Sequence, residues 1–235
     1  GIALSNSSFT NNAILNIGNL SNISQFGIIL FSPATFTNQT NGVIKISRVT
    51  LNDGIQIGGA ASVFNNAGQI KIGDSGPINR IGLLISSGQF NNQAGSLLGI
   101  NNIPTTDAIQ VSSAGSLVTN NGTINIGNIS GVYRFGIFMI TGTFTNGSTG
   151  TLNINTILSN TTNEGIAIRM QTNSVFTNNN IVNIGSTSNI SRFGLVMSSS
   201  STFTNNAAGT VNLNRITSQS GVTLQTAAKI FNNGI

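Results

Sequence analysis

The sequence predicts an all-β fold, a right-handed parallel β-helix (β-solenoid) of about eight and a half coils with three short strands per coil. A Gly followed by alternating apolar residues opens a new unit every 26–29 residues, as at Gly27 and Gly54. A Phe or Val followed two residues later by Asn then recurs in each unit, as at Phe36 and Asn38. Recurrence at this period is typical of solenoids. The chain shows no 3.6-residue periodicity, and its 28 glycines disfavour helix.

Each coil is predicted to contain three strands, and coil one shows where they lie. Residues 1–4, 8–11 and 13–17 alternate apolar with polar side chains, the pattern of a half-buried strand. Strands this short bury too little surface to be stable as isolated hairpins. The coils must therefore stack, with each strand pairing in parallel with its equivalents ~4.8 Å above and below. Right-handed winding is expected from the handedness of parallel crossover connections.

The alternation also assigns the core. Apolar residues of the first and third strands, and the Phe positions of the second, are predicted to point inward. Each buried aliphatic side chain there contributes ~1.5–3 kcal/mol. In coil seven this pattern places Ile166 and Ile168 inside and Ala167 outside, and in coil nine it places Phe231 inside.

The Asn after each aromatic position is predicted to point inward at a turn and to form an amide ladder with its equivalents. A buried amide without partners costs ~1–3 kcal/mol, so stacked amides must satisfy one another. The predicted ladder consists of Asn11, Asn38, Asn66, Asn92, Asn120, Asn146, Asn178, Asn205 and Asn233.

Successive coils alternate in kind, so the repeating unit is a pair of coils. Odd coils carry a Gly after the third strand and mostly end in an aromatic residue or Ile, whereas most even coils end in Asp or Glu. We therefore predict an exposed charge zipper at the corner before the first strand, in which each acid lies beside an Arg of the neighbouring coils. Each exposed pair would contribute ~0.2–1 kcal/mol. The members of the zipper are Asp53, Arg80, Asp107, Arg134, Glu164 and Arg192.

Outward residues of the first strand alternate as well. Odd coils carry small or polar side chains there, such as Gln56 and Gln110, whereas even coils carry apolar ones. Contiguous exposed apolar surface usually marks an interface, so this apolar stripe is a candidate interface. Two hypotheses remain open: the long odd-coil connections cover the stripe within the chain, or the stripe docks a neighbouring chain in a fibre. The stripe consists of Ile29, Phe31, Leu84, Phe138, Ile140 and Val196.

Residue types with catalytic or metal-binding chemistry are scarce. The chain has four carboxylates and no His or Cys, which excludes thiolate metal sites and the usual catalytic triads. Only Asp53 and Asp107 could form a glycosidase-type pair, and they lie two coils apart. We therefore expect no enzymatic activity, no cofactor and no metal.

Composition limits the partners and the domain organisation. The net charge of +5 comes from nine scattered basic residues without a basic run, so we expect no nucleic-acid partner. No run approaches the ~18 apolar residues of a membrane span, so we expect no membrane insertion. Nothing marks a domain border. We expect residues 1–235 to form a single β-solenoid domain that is an excerpt from a longer repetitive polypeptide.

The repeat motif, an aromatic residue or Val followed by Asn, Gly and two alternating Ile residues, stands for example at 64–72 and at 118–126. It resembles the repeats of large secreted bacterial β-helical adhesins, the filamentous haemagglutinin-like proteins and giant repetitive surface adhesins. The resemblance spans the chain. It implies an extracellular, cell-surface or fibre-forming role, with self-association into a fibre, neighbouring repeats of the same chain, or a surface or glycan receptor as partners.

An alternative function is a carbohydrate- or ice-binding β-solenoid module. Outward threonines flank several Phe positions, as at Thr35 and Thr37, in the manner of the flat Thr arrays on ice-binding solenoids. Other coils interrupt this array, as at Val63 and Asn65.

Overall fold

The computed structural model describes residues 1–159 and 164–235, and within them the chain forms strands and turns without a helix. Coils one to eight contain three strands each, and coil nine contains two. In coils one to four the strands are β1 (Ile2–Leu4), β2 (Ser8–Asn11), β3 (Ile14–Ile17), β4 (Ile28–Leu30), β5 (Thr35–Asn38), β6 (Val43–Ile46), β7 (Ile55–Ile57), β8 (Val63–Asn66), β9 (Gln69–Ile72), β10 (Leu83–Ile85), β11 (Gln89–Asn92) and β12 (Leu97–Ile100). In coils five to nine they are β13 (Ile109–Val111), β14 (Leu117–Asn120), β15 (Thr123–Ile126), β16 (Phe135–Met139), β17 (Thr143–Asn146), β18 (Thr151–Ile154), β19 (Ile166–Met170), β20 (Val175–Asn178), β21 (Ile181–Ile184), β22 (Phe193–Met197), β23 (Thr202–Asn205), β24 (Thr210–Leu213), β25 (Val222–Leu224) and β26 (Lys229–Asn232).

These strands form three parallel sheets, one on each face of the coil. Face A joins the nine first strands from β1 to β25, face B the nine second strands from β2 to β26, and face C the eight third strands from β3 to β24. Equivalent residues lie side by side, so that Phe36 is beside Phe64 and Ile44 is beside Ile70. The predicted parallel β-solenoid with three strands per coil is confirmed.

Inward side chains of the three faces form one continuous apolar core. Phe36 and Phe64 stack with ring centroids 4.6 Å apart, and Phe144 and Phe176 stack at 4.7 Å. All four rings are fully buried. The core thus consists of ladders of like residues along the solenoid axis, with dispersion and hydrophobic burial both favouring the stack.

The predicted register of coil seven is wrong. Strand β19 pairs with β22 so that Ile168 and Met170 point into the core and Arg169 points outward. The sequence had assigned Ile166 and Ile168 to the core and Ala167 to the surface. Ala167 is instead fully buried in the core, whereas Ile166 packs in a separate apolar cluster. Ile168 points inward in either register, so the pattern of apolar residues alone did not reveal the shift of two residues.

Coil nine differs from the prediction by one residue. Ile230 pairs with Phe203, and Asn232 pairs with Asn205. Phe231 is therefore turned outward and is 50% exposed. Because two Asn residues are adjacent here, the sequence motif fits both registers; the ninth ladder residue is Asn232, not Asn233.

A fourth row of apolar residues lies at the corner between faces C and A, and the sequence analysis did not predict it. Each coil from one to eight contributes a single Val or Ile, and each of these residues is joined to at least one neighbour by a parallel bridge. The six from coils two to seven are fully buried. The corner row consists of Ile23, Val49, Ile78, Ile103, Val132, Ile157, Ile190 and Ile216.

This corner explains why coils alternate. In odd coils the corner residue follows the last inward residue of face C by six positions, as Ile23 follows Ile17. In even coils it follows by three, as Val49 follows Ile46. The odd coils therefore carry a longer connection before the corner, and the even coils a shorter one.

Side chains of the even coils hold the longer odd connections in place. The Asn101 Oδ1 accepts the Ile129 N–H at 3.0 Å, and the Asn155 Oδ1 accepts the Thr187 N–H at 3.0 Å. The odd connection begins with a Gly of positive φ such as Gly73 (φ 81°), where a Cβ would lie 1.8 Å from the Asn101 carbonyl oxygen. Odd and even coils are therefore complementary, and the pair is the structural repeat.

The Asn ladder runs along the turn between faces B and C. Each Nδ2 donates to the Oδ1 of the Asn in the following coil at 2.8 Å, from Asn11 to Asn232. The amide also reaches the backbone of the next coil, as when Asn120 donates to the Thr151 carbonyl at 3.2 Å. The predicted ladder is confirmed from Asn11 to Asn205, and it ties two faces and two coils together.

We expect Asn120→Ala to lower the free energy of unfolding by ~2–4 kcal/mol. It leaves the Asn92 Nδ2 without its side-chain acceptor and the Asn146 Oδ1 without its donor. Asn125→Ala is the matched control, because Asn125 lies in the same coil but accepts a partly exposed bond from Asn153. Its loss should stay below ~1 kcal/mol. Urea unfolding measures both, and equal losses would contradict a special role for the buried ladder.

Candidate functional site

Two acid–arginine pairs lie at the corner where the chain enters face A. The Asp53 Oδ2 is 3.3 Å from the Arg80 Nη1. Asp107 accepts two bonds from Arg134, from Nε at 2.7 Å and from Nη2 at 2.6 Å. Both carboxylates are fully buried, whereas the Arg80 and Arg134 side chains are 42% and 31% exposed. The predicted exposed zipper is therefore wrong about its acids, which lie inside the corner.

Burial dominates the chemistry of these acids. It raises the pKa of Asp53 from 3.8 to about 6, against the opposing effects of Arg80 and of the Ile81 N–H, which donates to Oδ1 at 3.2 Å. Burial likewise raises the pKa of Asp107, despite the two bonds from Arg134. At both acids, desolvation outweighs the attraction of the paired Arg.

Glu164 does not take the place of a third buried acid. Strand pairing sets Ile166 beside Phe135 and Phe193, so Ile166 occupies the position that Asp53 and Asp107 hold in earlier coils. The reason is the two-residue shift in coil seven.

Glu164 nevertheless acts electrostatically on Asp107 and Arg134. The last predicted member, Arg192, has its guanidinium 5.1 Å from the centroid of the Phe193 ring. Of the predicted zipper members, Asp53 pairs with Arg80 and Asp107 pairs with Arg134.

The apolar stripe is largely covered by its own chain. Ile29, Leu84 and Val196 are only 4–5% exposed. Val196 belongs to a second apolar cluster outside the main core, with Phe135 and Ile166. The other stripe residues are partly or half exposed, namely Phe138, Ile140 and Phe31. This burial supports the hypothesis of an intramolecular cover over that of a docking stripe.

Three arginines lie on the rings of that second cluster, against which Phe138 and Phe193 also pack. The Phe135 ring centroid is 4.9 Å from the Arg134 guanidinium and 5.6 Å from that of Arg169. Guanidinium groups at such distances are attracted by the ring face. We call Arg134, Arg169, Arg192, Phe135, Phe138 and Phe193 the arginine–aromatic patch.

Sequence reasoning missed Arg169 and the patch as a unit. The available signal was a connection length: Ile168 follows the corner residue Ile157 by eleven positions, against five or six in other coils. A longer connection shifts the register of the next strand, and here it brings Arg169 to the outer surface of face A.

Faces B and C carry outward rows of amides and hydroxyls. On face C, Asn153 donates to Asn125 at 2.8 Å, Asn183 to Asn153 at 2.9 Å, and Asn212 to Asn183 at 2.8 Å. This second ladder was not predicted from the sequence. On face B one outward row consists of Thr10, Thr37, Asn65, Asn91, Thr119, Thr145, Thr177 and Thr204.

The described residues contain no group of three or more His, Cys, Asp and Glu side chains placed to hold a metal ion. In the same part of the chain, no helix is long and apolar enough to cross a membrane. No family model matches the chain, and neither a curated protein nor a solved structure matches it. Function is therefore inferred from the fold and its surfaces.

We expect mild acid to stabilise the protein. Because the pKa of Asp53 is about 6 when folded and 3.8 ordinarily, the folded chain binds more protons between those values. Asp53 contributes at most ~3 kcal/mol to the free energy of unfolding. This contribution is fully present below about pH 4 and is lost as the pH rises through 6. Urea unfolding at several pH values should show this slope, and Asp53→Asn should reduce it.

Asp107→Asn added to Asp53→Asn should flatten the pH dependence further, because burial raises the pKa of Asp107 as well. A slope unchanged by either substitution would contradict this assignment.

Proposed function

We propose that the chain is a structural and adhesive repeat segment of an extracellular protein that belongs to a cell surface or forms a fibre. One observation carries the proposal: the main contacts all repeat along one axis. The sheets, the Phe stacks and the Asn ladder each join like residues of successive coils. Such a stack lengthens by adding repeats while its cross-section stays the same, as an extended surface segment requires.

The polar surface supports an exposed location. Charged residues make up only 6% of the chain, and the outward rows of faces B and C are rich in Asn and Thr. Hydration of amides and hydroxyls depends little on pH or ionic strength, whereas surface ion pairs are screened by salt. A segment built in this way keeps its solubility in a variable medium.

Neighbouring repeats of the same chain are the simplest partners. Ile29, Leu84 and Val196 are buried within the chain, so they offer little surface to a second molecule. Lateral association into a fibre would instead use the polar faces B and C.

Carbohydrate binding is a second candidate. The Thr and Asn row of face B presents hydroxyl and amide groups at each coil, ~4.8 Å apart. Beside it, at the turn between faces B and C, lies a shallow polar depression of about 480 Å³ lined by Asn12, Thr37, Gln39, Thr40, Asn41, Ala67 and Gln93. In the parallel outer row, Val63, Gln89 and Leu117 interrupt the hydroxyl residues in three successive coils, which suits a glycan better than a regular ice lattice.

Surface labelling tests the main proposal. Antibodies raised against the purified chain should label intact cells, and protease treatment of those cells should remove the label. Deleting the repeats from the parent protein should reduce attachment. Labelling only after permeabilisation would contradict the extracellular location, and unchanged attachment would contradict the adhesive role.

A further inference from the structure

The array departs from its repeat in one region of face A. Strands β16, β19 and β22 have five residues each, whereas the other strands of this face have three. In the sequence, the connection that precedes β19 is longer than its equivalents in other coils. The arginine–aromatic patch lies on these same strands. In repeat proteins, insertions confined to one face often mark the binding face.

The corner pairs show which group this region lacks. At the ends of coils three and five, an Arg pairs with the Asp of the preceding coil. Arg192 takes the same place at the end of coil seven, but the preceding position is Ile166. Among the described residues, the buried Arg192 Nη1 has no hydrogen-bond partner. Leaving a buried polar group unpaired is costly, so a partner from outside the chain would be favourable.

Arg169 adds a second cation to the same surface. With the Gln171 amide oriented so that its oxygen faces Arg169, that oxygen accepts from Nε at 3.1 Å and from Nη2 at 3.0 Å. Burial and the neighbouring charge of Arg134 lower the pKa of Arg169. The patch therefore carries the three positive charges of Arg134, Arg169 and Arg192, against the two carboxylates Asp107 and Glu164.

We propose that the arginine–aromatic patch binds the carboxylate of an acidic saccharide. The ligand carboxylate takes the role that Asp53 and Asp107 play at earlier corners, with Arg192 and Arg169 as its cationic partners. The partly exposed rings of Phe138 and Phe193 pack against the apolar face of the sugar. An acidic saccharide would then be the ligand of the adhesive segment. The biological role of the site therefore rests on the proposed function.

The sheet geometry favours a saccharide over an acidic peptide. Extended peptides commonly bind by adding a strand to a free sheet edge. Strands β16, β19 and β22 are each paired on both sides, so the patch offers no such edge. A saccharide needs no backbone partner, and the Gln171 amide can bond to its hydroxyl groups.

Calorimetric titration of the purified chain with tetragalacturonate tests the site, with the uncharged methyl ester of the same oligosaccharide as control. Tyr133 adjoins Arg134 and is the single Tyr in a chain without Trp, so its fluorescence reports binding at the patch. We expect saturable binding of the acid and at least ~tenfold weaker binding of the ester. Arg192→Gln and Arg169→Gln should each weaken binding of the acid roughly tenfold, because each removes a charge-assisted hydrogen bond.

Two further variants separate a site from general charge attraction. Arg215→Gln removes the same charge from an exposed position near face C and should change affinity by less than about twofold. Ile166→Asp supplies an internal acid beside Arg192 and should weaken ligand binding, with folding checked by circular dichroism.

The proposal is overturned if the parent chain binds no acid, or if the ester binds equally well. It is also overturned if Arg215→Gln weakens binding as much as Arg192→Gln, or if poly-L-glutamate binds as tightly as the saccharide. Because binding is measured on the purified chain, its failure is distinct from a failure of surface labelling.

Discussion

In-register parallel stacking is the constraint on which the rest of the structure depends. Each side chain lies ~4.8 Å from the residue at the same position of the next coil. Every position must therefore hold a side chain that interacts favourably with a like side chain above and below it. Aliphatic and Phe side chains meet this condition because like surfaces pack together. Asn meets it because one amide carries both a donor and an acceptor, which lets Asn120 be fully buried between Asn92 and Asn146.

Backbone contacts between coils obey the same condition and lead to the two-coil repeat. Gly73 can only be Gly, since its φ is 81° and a Cβ would lie 1.8 Å from the Asn101 carbonyl oxygen. The Asn101 side chain in turn accepts the Ile129 N–H of the next long connection. Each type of coil thus shapes the backbone of the other, and an array of one type would lose these contacts.

The sequence was sufficient for the fold because register errors are costly wherever one face is buried. Three of the features that escaped it did so for physical reasons. The corner row gives only one residue per coil, such as Val49, and a single residue shows no periodicity. Arg169 was missed because Ile168 points inward in either register, which hides a shift of two residues. The burial of Asp53 could not be read from its charge, since the cost of burial and the pairing with Arg80 become visible only when both side chains are placed.

Charge placement follows from repetition as well. Like charges in adjacent coils lie about 5 Å apart and repel by ~0.8 kcal/mol in water but by ~3 kcal/mol at an effective dielectric constant of 20. The exposed row of face C tolerates Lys45 beside Lys71, because water screens them. The buried corner does not have that screening, and there the acids occupy alternate coils, with Ile81 between Asp53 and Asp107.

The charge of this corner is balanced only where the coil before each Arg supplies an acid, as Asp53 does for Arg80 and Asp107 does for Arg134. Where Ile166 replaces the acid, the corner gains apolar packing with Phe135 and Val196 but loses the partner of its next Arg. The cost of that loss falls on Arg192, whose Nη1 is buried without a partner in the described chain. At this corner, we propose, an external carboxylate completes the arrangement that Asp53 and Asp107 complete in earlier coils.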